Sequence, residues 1–307
     1  MKNFKPEGCI FATAENRKYI SSAEGLLQAM EKDEILEARA SVCDNSHNLI
    51  VELPCMSGII KREEGAVGIS EGYTKDIALI SRVNKYVCFK VMSVETDENG
   101  KKYAVLSRRL AQQECYENYI KKLSAGDIIN ARVTHLEPFG CFVDIGCGIP
   151  SLIPIDTISV SRISHPSDRF TTGQDIRVIV KSNENGRICL THKELLGTWT
   201  ENAEQFQAGE TVSGIVRSVE SYGIFIELTP NLAGLAEPRE DVRAGQQVSV
   251  YIKALIPEKM KVKLIIVDIC EGTERINECN YFFEGNHISK WVYTPENSSK
   301  LIETDFS

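Results

Sequence analysis

Two segments of the chain place a pair of aromatic residues three positions apart around a glycine. The stretch EPFGCFVDIG holds Phe139 and Phe142, and the stretch ESYGIFIELT holds Tyr222 and Phe225. Two rings on the surface of a sheet form a platform on which bases stack, at about 1–3 kcal/mol per base. One such segment alone fits a buried core. Its recurrence with a tyrosine, which tolerates a wet surface, favours solvent-exposed rings.

Both segments belong to a longer internal repeat. GDIINARVTHLEPFGCFVDIG aligns without a gap to GETVSGIVRSVESYGIFIELT, and GQDIRVIVK and RICLT match GQQVSVYIK and KVKLI further on. Each unit of roughly 60–70 residues contains five short runs rich in Val, Ile and Phe, which predicts a small five-stranded barrel. The glycine between the rings is expected to permit a turn or bulge that brings both rings to one surface.

A fainter copy of the unit lies upstream. The stretch ILEARASVCDNSHNLIVEL supplies its first strands, and VNKYVCFKVMSVETDENGKKYAVLSRR supplies a closing hairpin. His47 and Ile50 stand where the other two units have aromatic residues. The strand pattern is therefore repeated without the stacking pair.

Helical spacing separates the barrel units, because apolar residues recur at three- and four-residue steps. Near the N-terminus, Ser21 and Glu24 have the spacing of a capping box at the start of a helix. The alternating aromatics near the C-terminus predict one or two packed strands. The chain is thus divided into an N-terminal extension with a short helix (1–34), a degenerate barrel (35–110), a helical linker (111–125), a second barrel (126–193), a helical linker (194–208), a third barrel (209–270) and an acidic tail (271–307).

Composition and motifs exclude several classes of function. The net charge is −8 and lies mainly in the tail and the second linker, so each barrel is nearly neutral and retains room for a local basic groove. We expect no membrane span, because no run of about 18 apolar residues occurs, and no signal peptide, because the N-terminus lacks a basic-then-apolar segment. We also expect no cofactor, and no metal site, since the ten cysteines are scattered without a Cys-x-x-Cys pair. No catalytic motif occurs. A thiol enzyme using Cys141 or Cys147 is the remaining enzymatic alternative.

The repeated units resemble S1 RNA-binding domains of the OB-fold family. The pattern FGCFVDIG, SLIPI, GQDIRV and NGRICLTHKEL carries the resemblance, which is strongest in the second unit, good in the third and weak in the first. With its linkers and tail, the chain resembles the short ribosomal-protein-S1-like proteins of Gram-positive bacteria. The resemblance implies a mainly β protein of three tandem OB-type barrels joined by short helical linkers.

The resemblance also implies an RNA-binding surface on the second and third barrels. In the second barrel it comprises Phe139, Phe142, Asn183 and Arg187, and in the third Tyr222, Phe225 and Lys261. The family's histidine position holds Pro154 in the second barrel and Glu237 in the third. His165 is a candidate replacement for the first of these. The acid in the third barrel implies weaker binding of phosphate there.

The implied function is binding of single-stranded RNA or mRNA by a cytoplasmic, non-enzymatic protein. We expect the N-terminal barrel to dock on the small ribosomal subunit while the other two barrels hold RNA. Two alternatives stay open at this stage. One is a cytosolic RNA-binding regulator that is not ribosomal, and the other is a protein-interaction scaffold with degenerate barrels.

Overall fold

Three closed barrels of five strands make up most of the chain in the computed structural model, which describes residues 4–184, 186–270 and 279–307. The predicted fold class is therefore confirmed. The chain clusters into two compact units, one of residues 1–122 with 144–150 and one of residues 123–143 with 151–307. The first unit contains the first barrel. The second unit contains the third barrel, the described tail and most of the second barrel.

The three barrels have the same strand order. In each of them the third strand pairs with the fifth in parallel. The strands of the first barrel are β1 Leu36–Cys43, β2 Leu49–Glu52, β3 Ser57–Ile60, β4 Tyr86–Thr96 and β5 Lys102–Ser107. The strands of the second are β6 Ile128–Glu137, β7 Gly140–Asp144, β8 Pro150–Pro154, β9 Asp175–Glu184 and β10 Arg187–Thr191. The strands of the third are β11 Thr211–Glu220, β12 Gly223–Thr229, β13 Leu232–Ala236, β14 Gln247–Ile256 and β15 Lys261–Ile269.

Alternating burial along the strands places one row of side chains in each barrel interior. In β15, for example, Val262 and Leu264 are buried while Lys261 and Lys263 are exposed. This period of two is the geometry of a strand with one face in the core. Residues directly opposite each other on paired strands share a face, so the strand registers show which side chains form each outer surface.

Five α-helices are assigned within the described residues. They are α1 Ala14–Ile20, α2 Ala23–Glu31, α3 Ile77–Ile80, α4 Arg108–Asn118 and α5 Trp199–Ala203. Short 3-10 helices span Arg62–Glu64, Ile120–Lys122, Ile155–Thr157, Pro166–Asp168, Lys193–Leu196 and Pro257–Lys259. The predicted capping box at Ser21 and Glu24 is wrong, because Ser21 ends α1 and the neighbouring Ser22 caps α2 by accepting from the Gly25 amide. None of the helices in the described part of the chain has the length and apolar character needed to cross a membrane.

The N-terminal segment is part of the first unit's interior. The Glu7 carboxylate accepts two hydrogen bonds from the Arg108 guanidinium, at 2.6 and 3.0 Å, and both residues are buried. Burial by itself would raise the pKa of Glu7, but Arg108 and Arg82 hold it below its ordinary value. The Asp144 carboxylate accepts from the Glu7 amide at 2.7 Å. A buried charge cluster therefore anchors this segment.

The described part of the tail packs against the barrels of the second unit. Its strands β16 Lys290–Val292 and β17 Glu303–Asp305 form a two-stranded antiparallel sheet. Trp291, Tyr293 and Phe306 are buried in a cluster with core residues of both barrels. Residues 271–278 of the predicted tail lie outside the described residues.

Candidate nucleic-acid interface

The two aromatic pairs have the same geometry in the second and third barrels. Phe139 lies in the turn before β7 and is 55% exposed, and Tyr222 lies in the turn before β12 and is 66% exposed. Phe142 and Phe225, on those strands, are half-buried. The ring centroids are 6.0 Å apart at 90° in one pair and 6.1 Å apart at 86° in the other. Each of these two barrels thus has one solvent-exposed ring, and the ring that packs edge-to-face against it belongs to a strand residue.

The glycine between the rings is required by the closeness of the neighbouring strand. A Cβ on Gly140 would lie 2.5 Å from the Ile153 carbonyl oxygen and 3.0 Å from a methyl of Leu152. A Cβ on Gly223 would lie 2.8 Å from the Ala236 oxygen and also 2.8 Å from a methyl of Leu235. No side chain fits in either place without moving a strand.

Of the turn or bulge expected at this glycine, the third barrel has the turn, and its bulge lies elsewhere. Gly223 pairs directly with Glu220, and the register shift between β11 and β12 falls between Val216 and Ser218. The turn that carries Tyr222 brings its ring beside that of Phe225. A bulge at the glycine is therefore not needed to bring the rings together.

A continuous row of outward side chains crosses the third barrel. Phe225 on β12 lies opposite Leu235 on β13, and Leu235 lies opposite Lys263 on β15. Leu235 is 37% exposed and Lys263 is exposed. The sequence prediction omitted Leu235 from this surface. The signal for it was its position in the strand, since it alternates with the buried Gly234 and Ala236.

The second barrel repeats this row with different chemistry. Leu152 on β8 lies opposite Cys189 on β10, and Leu152 also lies beside the space at Gly140. A half-buried cysteine thus takes the place that Lys263 has in the third barrel. The predicted cations begin the last strand in both barrels, where Arg187 and Lys261 are exposed. The second barrel therefore has one cation along this strand where the third has two.

The first barrel carries an aliphatic row at the same register. Val42, Ile50, Ile59 and Val105 lie opposite one another in turn across four strands. Val42 is 50% exposed and the other three are half-buried. This surface has neither a ring pair nor a lysine along the row.

The position of the cation in the first barrel is also changed. Tyr103 is the counterpart of Lys261, because each lies opposite the end of the preceding strand of its barrel, Tyr103 opposite Glu95 and Lys261 opposite Ile256. The Tyr103 hydroxyl donates to the Glu95 carboxylate at 2.8 Å. This hydrogen bond raises the pKa of Tyr103. Hydrogen bonds from Ser93 and Tyr103 lower the pKa of Glu95, which keeps it anionic. The first barrel thus has a tyrosine bound to a carboxylate at the position where the other two barrels have the predicted cation.

Two predicted contact residues have local structural partners. The Asn183 amide nitrogen donates to the Leu123 carbonyl at 2.8 Å, and its side-chain oxygen accepts from the Gly186 amide at 2.9 Å. His165 Nδ1 accepts from the Ser167 amide at 3.1 Å and caps a single turn of 3-10 helix. Both residues hold loops in place. Their contact with RNA stays a prediction.

The two thiols of the enzymatic alternative are buried. Cys141 is 0% exposed, and burial raises its pKa to about 12. A hydrogen bond with Cys115, together with burial, raises the pKa of Cys147 well above its ordinary value. A thiol nucleophile reacts as the thiolate, so neither site favours covalent chemistry. Among the described residues, no group of three or more His, Cys, Asp or Glu side chains is arranged to hold a metal ion.

Comparison with known proteins identifies the second barrel. Residues 122–193 match the family model described as the S1 RNA binding domain. The second barrel belongs to the S1 domain family. Its ring pair and Arg187 lie within the matched residues, and so does the hairpin of β9 and β10 that contains Asn183. The structural description of the second barrel is therefore that of an S1 domain.

The relatives named by whole-chain comparison are ribosomal proteins. Small ribosomal subunit protein bS1 of Staphylococcus haemolyticus is 31% identical over 185 residues, which is 58% of this chain and 44% of that protein. The bS1 protein of Staphylococcus aureus strain COL is 29% identical with the same coverage. The chain spans less than half the length of these relatives.

A solved structure also matches the chain. It is a multidomain protein with nucleic acid binding domains from Streptococcus pneumoniae TIGR4, at 14% identity and a TM-score of 0.25. The match covers 76% of this chain and 73% of that one.

Proposed function

We propose that this protein binds single-stranded RNA through its S1 domain and its third barrel, as an S1-like protein of the small ribosomal subunit that assists translation. The observation that carries the proposal is the repeated pair of perpendicular rings, each pair with one exposed face. The S1 domain match and the bS1 relatives support it. We further propose that the protein is cytoplasmic and acts by binding, without catalysis or cofactor.

The binding chemistry follows from the side chains on the surface. Phe139 and Tyr222 each offer a ring face to a base, and stacking on such a ring contributes about 1–3 kcal/mol with little preference among bases. Arg187 and Lys261 lie at the start of the last strand, where they can contact the phosphate backbone. Glu237 is exposed in the third barrel and repels phosphate there. The S1 domain is therefore the tighter of the two sites in this proposal.

The proposed role of residues 1–110 is docking on the small ribosomal subunit. The aliphatic row on the first barrel and the Glu95 carboxylate beside it disfavour an RNA backbone, which supports a different partner for this barrel. Cosedimentation with small subunits that depends on residues 1–110 is the expected result. A protein that binds RNA in cells but does not travel with subunits would be the cytosolic regulator instead.

The test of RNA binding is a double substitution in the S1 domain. Phe139→Ala with Phe142→Ala should weaken binding of a single-stranded oligonucleotide by about 2–4 kcal/mol, because both members of the platform are lost. Fluorescence anisotropy measures the affinity, and circular dichroism checks that the barrel remains folded. The matched control is Ile50→Ala in the first barrel, which should leave affinity unchanged. Equal affinity of the double variant and the unaltered protein would reject the platform.

A further inference from the structure

One buried side chain joins the third barrel to the S1 domain side of the second unit. Asn231, between β12 and β13, is 0% exposed. Its amide nitrogen donates to the carbonyls of Lys193 and Gly197, both at 2.8 Å, and its side-chain oxygen accepts from the Val160 amide at 2.9 Å. The side-chain amide of Asn231 thus makes three hydrogen bonds to backbone segments that come after β8 and β10 of the S1 domain.

The described part of the tail also hydrogen-bonds to this contact region between the two barrels, which we call the joint. The Tyr293 hydroxyl donates to the Asn231 carbonyl at 2.6 Å, and the Trp199 amide donates to the Tyr293 carbonyl at 3.0 Å. Earlier in the tail, the carbonyls of Phe283 and Gly285 accept hydrogen bonds from Arg177 on β9, both at 2.6 Å. The tail is therefore bound to the S1 domain and to the third barrel at once.

A buried ion pair crosses between the two barrels at a second place. Arg169, in the loop before β9, donates to Glu227 on β12 at 2.5 Å, and both side chains are 6% exposed. Arg217 on β11 binds the same carboxylate at 2.8 Å. Because removing charges from water is costly, a buried pair is maintained only where the surrounding structure fixes its geometry.

A cluster of buried apolar residues underlies these polar contacts. One cluster of buried residues includes Ile128, Ile179 and Leu195 from the S1 domain side, Val216, Ile226 and Val250 from the third barrel, and Trp291, Tyr293 and Phe306 from the tail. Two barrels on a free linker would share no buried cluster. This cluster packs residues of the S1 domain side, the third barrel and the tail against one another.

We propose that the S1 domain and the third barrel act as one rigid RNA-binding body, and that Asn231, Tyr293 and the Arg169–Glu227 pair are positioning residues that set its affinity for long single strands. The proposal rests on the RNA binding proposed above and adds residues that lie within the joint. A rigid joint fixes the spacing between the two ring pairs. Once one pair has bound, a strand that reaches the other does so at a high effective concentration.

The experiment compares two oligouridines on the full chain, one of about 6 nucleotides that fits a single barrel and one of about 20 that can reach both. The unaltered protein should bind the long strand at least about tenfold more tightly than the short one. Asn231→Ala should remove most of that advantage while leaving the affinity for the short strand within about twofold. Tyr293→Phe, which keeps the ring in the core and removes only the hydroxyl, should change the advantage in the same direction by less.

The control is Arg239→Ala, which removes an exposed ion pair with Asp241 on the third barrel and should change neither affinity. If the long strand keeps its full advantage in both joint variants, the barrels act independently and the inference is wrong. If Tyr293→Phe lowers the affinity for both oligouridines equally, the joint only supports the structure of each binding site, and the positioning role is rejected. If the unaltered protein binds neither strand, the proposed RNA function itself is wrong and the inference with it.

Discussion

The first and third barrels have the same strand order and register but different outer surfaces. At corresponding positions on the second, third and fifth strands, the first barrel has Ile50, Ile59 and Val105, whereas the third has Phe225, Leu235 and Lys263. The interior of both is apolar and buried. Barrel topology alone therefore does not determine the ligand. Two of the three outward positions change the surface, one from aliphatic to aromatic and one from aliphatic to cationic.

The second comparison concerns the residue between the ring positions. The S1 domain and the third barrel have Gly140 and Gly223 there, whereas the first barrel has Asn48. The Asn48 side chain donates to Asp44 at 2.9 Å and accepts from the Arg62 amide at 3.0 Å. In the first barrel the side chain at this position therefore hydrogen-bonds to its own loop. In the other two barrels the glycine allows two strands to pack closely beside the rings.

Gly140→Ala should have the largest effect among tests of this comparison. The new Cβ would lie 2.5 Å from a backbone oxygen, so β7 must move from β8, at a loss of about 1–3 kcal/mol in the free energy of unfolding. RNA affinity should fall with it, because Leu152 beside the rings is displaced. Thermal unfolding and anisotropy measure the two effects. Asn48→Ala is the matched control, expected to lower stability by about 1 kcal/mol without changing RNA affinity.

The two compact units should respond to acid in opposite directions. In the second unit, burial lowers the pKa of His192 to about 4, so the folded state keeps it neutral. Its stabilising contribution is complete above pH 6.5. It is lost as the pH falls from 6.5 towards 4, by at most about 1.4 kcal/mol per pH unit, because the unfolded chain takes up a proton that the folded chain does not.

In the first unit, burial and the nearby Glu7 raise the pKa of Asp144 to about 7. The folded state therefore keeps a proton that the unfolded chain releases above pH 3.8. The free energy of unfolding of this unit should rise as the pH falls from 7 towards 4. A fall in this unit's stability over that range would show that the Asp144 carboxylate is ionised in the fold.

The pH responses can be measured separately in the same chain. Both tryptophans, Trp199 and Trp291, are buried in the second unit, so their fluorescence during unfolding reports on it alone. Hydrogen exchange measured peptide by peptide reports on the first unit. His192→Gln should flatten the pH dependence of the second unit between pH 6.5 and 5 and leave that of the first unchanged.

The smallest expected effect concerns salt. Lys261→Ala and Lys263→Ala should each reduce the slope of log affinity against log salt by about one, since each removes one phosphate contact. Arg187→Ala should do the same in the S1 domain. The control is Tyr103→Phe at the corresponding place in the first barrel, and a change of slope there would mean that the first barrel also contacts RNA.

The sequence predicted the barrels well because their strands alternate and repeat. Alternation in KVKLI and its counterparts follows from a strand with one buried face, and that signal is local. The ring positions were found for the same reason. The helix cap was predicted one residue early, because Ser21 and Ser22 are both good N-cap residues and only the end of α1 distinguishes them. With Gly25 three residues after Ser22, the cap is a single serine and not a capping box.

The contacts that the sequence did not reveal are those between distant segments. Asn231 binds a carbonyl 38 residues away, and Glu7 binds an arginine 101 residues away. Neither partner is marked by spacing or composition, because a buried amide or carboxylate needs only some donor or acceptor in reach. The alternating aromatics of the tail did predict its packed strands. They did not reveal that Trp291, Tyr293 and Phe306 would join the core of the second unit, because the sequence does not mark which surface covers them.

The carboxylate of Glu37 has a practical consequence for anyone who wishes to study the first barrel in isolation. It is 1% exposed, and its two oxygens accept from the backbone amides of Gly8, Ile10 and Phe11 at 2.6–3.0 Å. A fragment trimmed to begin at residue 35 would leave this acid group without its donors inside β1. Expression fragments should therefore retain the residues from Phe4 onwards, since inactivity of a shorter one would report a damaged strand and nothing about its ligand.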